Sequence, residues 1–146
     1  MTLSAMTDRD VNTQQEGKAP QPNALLFPSR HLDSYMKNLH ENVKEFARSL
    51  QMQNGTMFIQ AFVKGDEFIV FEMGYRLCGA NEYVIVSKEN EINTLDMYIQ
   101  MALTGKFQGW DNTKYDNPYF KNKYCILIPL LKSGKIASCS CLDTIR

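Results

Sequence analysis

Two apolar runs, residues 57–63 and 68–73, face each other across Lys64-Gly65-Asp66-Glu67, and no other feature constrains the fold of this chain as strongly. Both runs are of strand length. The tetrad between them carries the glycine and aspartate of a tight reversal, so the segment reads as a β-hairpin. Each run holds one polar residue, Gln60 in the first and Glu72 in the second. A carboxylate buried alone in such a run costs several kcal/mol unless a positive group compensates it. No basic residue lies in either run.

A carboxylate and an amide oxygen on one face of a hairpin suit a hard cation. Magnesium takes oxygen ligands, typically one or two from protein and the rest from substrate phosphates and water. Gln60 and Glu72 are therefore the candidate metal ligands. Arg76, four residues after Glu72, carries the forked donors that hold a phosphate. The alternative is two solvent-facing polar side chains on a half-exposed sheet, with Arg76 in a surface ion pair. The turn decides the register. A three-residue loop, Gly65-Asp66-Glu67, sets Gln60 opposite Glu72 and Phe62 opposite Val70. A two-residue loop, Gly65-Asp66, sets Gln60 opposite Phe71 and turns Glu72 to the other face. The expectation is that Gln60 and Glu72 lie side by side.

The 146 residues are enough for one domain with a core, and 44% apolar with 22% charged residues is a globular composition. Sixteen basic and sixteen acidic residues balance to zero, and no basic stripe with interleaved aromatics points to nucleic acid. No apolar run reaches membrane-spanning length and the N-terminus lacks the pattern of a signal peptide, so the expected setting is cytoplasmic. Cys78, Cys125, Cys139 and Cys141 match no zinc spacing. Asn54-Gly55-Thr56 reads as a turn.

Elsewhere, residues 2–6 read as a short strand and residues 10–28 as a loop-like segment with Pro20 and Pro22. Ser29 is the expected N-cap of one helix whose apolar stripe is Leu32, Met36, Leu39, Val43, Phe46 and Leu50. His31 and His40 fall on or near it as solvated positions. Residues 83–86 read as a strand. Asn93-Thr94 opens a second helix, with Leu95, Tyr98, Ile99, Ala102 and Leu103 at helical spacing and Gly105 closing it. A loop with Trp110, Tyr115, Tyr119, Phe120 and Tyr124 follows, its aromatics pinning it to its own domain. Residues 124–131 and 136–141 form a second hairpin around Lys132-Ser133-Gly134-Lys135. Helices packed on antiparallel hairpins give an α+β fold.

At Gly55-Thr56-Met57-Phe58-Ile59-Gln60 and Phe71-Glu72-Met73-Gly74-Tyr75-Arg76 the chain resembles the C-terminal part of ATP-grasp enzymes, and most resembles members similar to the carbamoyl-phosphate synthase large subunit. There, a strand after a glycine offers Gln or Glu to magnesium, and the next offers Glu in a Glu-x-Asn-x-Arg motif. The spacings from Gly55 to Gln60 to Glu72 to Arg76 match. Asn93-Thr94-Leu95-Asp96 is similar to the family's Asn-x-Leu-Asp helix start. The resemblance covers at least residues 29–105. It departs at Gly74, where the family has an asparagine that supplies an oxygen to a second metal.

The resemblance implies an ATP-dependent carboxylate–amine ligase. ATP phosphorylates a small carboxylate, and an amine or similar nucleophile displaces the phosphate. Gln60 and Glu72 would hold magnesium, and Arg76 would contact the ATP phosphates as the catalytic residue. Phe62, on the Gln60 face, would touch the adenine, the alternative for it being core packing. The family's glycine-rich lid, its phosphate-gripping lysines and its carboxylate-binding domain precede the matched region. The chain therefore reads as a single partial domain over residues 1–146, inactive alone. The other class of reading is a non-catalytic binding or assembly module with the same shape.

Overall fold

A computed structural model describes residues 1–12, 21–106, 116–129, 131 and 133–138. The fold is α+β. Among the described residues, two antiparallel sheets, one of three strands and one of two, are packed by four helices. The three-stranded sheet has β2 (Gln21–Phe27) at its centre, with β1 (Asp8–Asn12) on one side and β5 (Tyr124–Leu127) on the other. Its core is Leu25 and Phe27 of β2 packed with Ile85 of α3 (Glu82–Asn90), and Phe120, Tyr124, Ile126 and Ile128 close around them. Leu25 is completely buried. Phe27 stacks with Phe120 at 6.2 Å between ring centroids.

The second sheet is the hairpin of β3 (Phe58–Lys64) and β4 (Glu67–Gly74). Helix α1 (Leu32–Asn38) docks on its turn. The Tyr35 ring meets Phe68 edge-on at 5.9 Å, and the Ser34 hydroxyl donates to the Asp66 carboxylate at 2.8 Å. Helix α4 (Thr94–Thr104) holds the entry to β3, because the backbone N–H of Thr56 donates to the Tyr98 hydroxyl at 3.0 Å. Asn93 caps α4 as expected: its side-chain oxygen accepts from the N–H groups of Leu95 and Asp96. Gly105 ends α4 in the left-handed conformation.

Several expectations are corrected. Residues 2–6 form no strand, whereas the segment read as a loop, residues 10–28, contains the end of β1 and all of β2. Pro22 pairs with Val11 beside the β1–β2 register shift, the kind of irregularity to which prolines within sheets are confined. The first helix is two. Leu39 leaves helical geometry between α1 and α2 (His40–Ser49), and the inward face of α2 becomes His40, Val43 and Ala47, with Phe46 and Leu50 exposed. His40 is thus buried, against expectation. Ser29 does not cap α1. It is buried, donates its hydroxyl to the Asp8 carboxylate and accepts from the His31 N–H.

The expected strand at 83–86 lies in α3. A short apolar run fits a buried helix turn as well as a strand, and here Ile85 and Val86 point inward while Val84 is exposed. Tyr124–Leu127 is a strand, but its partner is β2 rather than a second hairpin, and residues 136–138 form no strand. The aromatic loop is pinned as expected where it is described: Phe120 and Tyr124 pack on the core and the Tyr119 hydroxyl donates to Asp33 at 2.9 Å. Trp110, Tyr115, Cys139 and Cys141 lie outside the described residues. No helix among the described residues is long and apolar enough to cross a membrane.

Candidate functional site

The β3–β4 hairpin reaches the expected pairing by an unexpected route. Its loop is the two-residue one, Gly65-Asp66, with Lys64 paired to Glu67. Gly65 takes φ +61°, the sign that such a turn requires at its first position. Phe62 consequently pairs with Ile69, not Val70. An uninterrupted ladder from this turn would bring Phe71 opposite Gln60. Instead the register shifts after the Ala61–Val70 pair, Phe71 is left as the extra residue of a β-bulge, and Gln60 pairs with Glu72. Directly paired side chains on neighbouring strands share a face at Cβ separations of about 4.5–5.5 Å.

Glu72 is exposed and makes no hydrogen bond or ion pair among the described residues. The premise of a buried carboxylate demanding a cation is therefore overturned: water solvates Glu72, and no desolvation penalty has to be offset. Gln60 is half-buried, and its Oε1 accepts a hydrogen bond from Arg9 Nη1 at 2.8 Å. Arg9 Nη2 lies 4.0 Å from the Cys78 Sγ. Burial, reinforced by the neighbouring Glu82 carboxylate, pushes the Cys78 pKa up. The thiol is therefore neutral at pH 7 and gives Arg9 no anionic partner.

Arg76 is not in an ion pair among the described residues. Its guanidinium lies over the Phe58 ring, 4.7 Å from the centroid, and its Nη1 donates to the Leu77 carbonyl at 2.8 Å. Phe58 pairs with Gly74 across the hairpin, and a Cβ built on Gly74 would overlap the Phe58 ring. Glycine at position 74 is thus the residue this packing requires. Phe62 does not pack in the core. It is 63% exposed and stacks on Phe71 at 4.6 Å between centroids, beside Gln60 and Glu72.

The hairpin therefore brings together Gln60, Glu72, Phe62 and, through the bulge, Phe71, while Arg76 stands at the end of β4. A carboxylate and an amide oxygen at paired positions are donors of the type magnesium takes when most of its shell is water and phosphate, although Arg9 holds the amide oxygen here. No group of three or more His, Cys, Asp or Glu side chains that would make a dedicated metal cage occurs among the described residues. Arg9 was invisible to sequence reasoning. It stands in a polar stretch 51 positions from Gln60 and on the other sheet, so no local pattern announces the contact. A shallow depression of about 320 Å³ between α3 and β5, lined mainly by Val84, Ile85, Lys88, Tyr124 and Ile126, contains none of these residues. Comparison of the chain with protein-family models, with curated proteins and with solved structures gives no match.

Proposed function

We propose that the β3–β4 hairpin carries the magnesium and ATP-phosphate site of an ATP-grasp ligase similar to the carbamoyl-phosphate synthase large subunit. The observation that supports this best is the Gln60–Glu72 pair. The turn alone would separate the two side chains, and a bulge of the kind that re-aims side chains next to functional sites brings them together. Bound magnesium would neutralise phosphate charge. The residues' own contributions are simpler: Glu72 brings a solvated carboxylate, Gln60 brings an amide oxygen, and Arg76 brings a guanidinium for a phosphate oxygen. In this reading catalysis is positioning and charge neutralisation. A small carboxylate and an amine or similar nucleophile are the substrates of the whole ligase, and the chain by itself turns nothing over.

The exposed Phe62–Phe71 stack, continued by exposed Ile69, also favours a second reading, a non-catalytic module that uses this face for binding or assembly. Titrating the isotope-labelled protein with Mg2+-ATP and following amide resonances separates the two. The ligase reading expects shifts at the Gln60 side-chain amide and at Phe71 and Glu72 that disappear without Mg2+ and are lost in Glu72→Gln. Absence of these shifts at millimolar Mg2+-ATP, or shifts indifferent to Glu72→Gln, would reject it in favour of the module.

A further inference from the structure

We propose that Arg9 is a positioning residue of the hairpin site. It holds the Gln60 amide oxygen when no cation is there and gives its donors to phosphate oxygens when one is. This rests on the magnesium and phosphate reading of the hairpin.

The geometry carries the inference. Arg9 Nη1 occupies Gln60 Oε1 at 2.8 Å, the atom a magnesium ion would take. Cation and guanidinium compete for one acceptor, and their like charges repel at such separations. Arg9 is also in no ion pair among the described residues, and the Cys78 thiol stands between it and the Glu82 carboxylate. The ion pairs there are Arg30–Asp8 and Lys44–Glu41, and the thiol beside Arg9 is neutral. A guanidinium has five N–H donors in a fixed fork. Two nitrogens point at Gln60 and Cys78, and the exposed side chain leaves the other donors to an incoming anion.

The backbone beneath it is fixed. Arg9 pairs with Leu25, the completely buried centre of the sheet core. Its neighbour Asp8 is tied to Ser29 and Arg30, so alternation along β1 keeps that carboxylate away from the guanidinium. The site thereby gains a charge from the three-stranded sheet, and one contact couples the two sheets across the ligand position.

The proposal requires two effects of opposite sign. Removing Arg9 should make a bare divalent cation bind more tightly, because its competitor is gone. It should make Mg2+-ATP bind more weakly, because a charge-assisted contact is lost. A residue that only supports the fold would weaken both. The experiment titrates the full chain with Mn2+ alone, read by water-proton relaxation, and with Mg2+-ATP, read by amide shifts. Arg9→Ala is expected to tighten Mn2+ by about threefold or more and to weaken Mg2+-ATP by about tenfold or more. Arg9→Lys, which keeps the charge but not the fork, should fall between wild type and Arg9→Ala in both titrations. Should Arg9→Ala melt early, Arg9→Gln removes the charge, keeps a donor for Gln60, and reads the same two titrations.

Glu72→Gln serves as the control. If it weakens both ligands while the Arg9 variants change neither, or weaken both, the proposal fails and the hairpin reading stands. If Glu72→Gln alters neither titration, the hairpin reading is overturned and Arg9's role with it.

Discussion

Glu72 and Leu25 show how far burial separates two single residues. Glu72 is solvated and pairs with nothing among the described residues, so replacing it should leave the fold alone. Glu72→Gln is expected to change unfolding free energy in urea by no more than about 0.5 kcal/mol, and the proposed magnesium site requires that it also abolish any magnesium dependence of nucleotide binding. Leu25 lies at 0% exposure between the sheet and α3. Leu25→Ala should cost about 2–5 kcal/mol, read as a fall in denaturation midpoint at constant slope. The exposure of Glu72 also corrects the reasoning that first singled it out. An apolar run implies burial only if something covers it, and Phe62, Ile69, Phe71 and Met73 are exposed as well.

Among the elements, the hairpin and α4 give opposite lessons. The hairpin's pairing depends on a bulge that no turn rule anticipates, and its end depends on Phe58 filling the space over Gly74. Gly74→Asn should therefore destabilise the hairpin by about 1–3 kcal/mol, the usual cost of overpacking. Phe58→Ala together with Gly74→Asn should recover part of that loss. A double-mutant cycle on unfolding free energies measures the coupling, and additive effects would refute the packing explanation. Helix α4 was readable because its signals are local. Asn93 closes its own cap with two backbone N–H groups of the first turn. Asn93→Ala should cost about 1 kcal/mol, visible as faster amide exchange in α4.

Across the whole molecule, part of the pH dependence comes from one cluster where α1 and α2 meet the hairpin. Tyr35 packs edge-on against both His40, at 5.7 Å, and Phe68. Burial raises the Tyr35 pKa from 10.0 to about 12. Between those values the unfolded chain has lost a proton that the folded chain keeps, so stability falls as pH rises from 10.0 to about 12. Burial, followed by the neighbouring Lys44, lowers the His40 pKa, and the carboxylate of Glu41 opposes them in part. The unfolded chain then binds a proton that the folded chain refuses, and stability falls as pH drops through and below 6.5. Chemical denaturation across pH should therefore show a plateau between two declining limbs. Tyr35→Phe should make the alkaline limb shallower and leave the acid limb unchanged, and His40→Gln the reverse. The raised pKa values of Tyr119, Tyr124 and Cys78 and the lowered ones of Glu41 and Glu89 supply what slope remains.

By itself, the sequence determined the features that rest on contacts within a few residues: the α+β class, the hairpin over Lys64-Gly65-Asp66-Glu67, and the cap and stop of α4. Turn chemistry, capping and periodicity act at short range, so their marks survive in a one-dimensional string. Tertiary structure alone decided the rest. It joined β5 to β2, turned residues 83–86 into helix, broke the first helix at Leu39 to bury His40, and laid Arg9 against Gln60. It also decided that Glu72 faces water. Each of these depends on what a segment packs against. An apolar run states that a surface prefers to be covered, and only the folded chain supplies the cover.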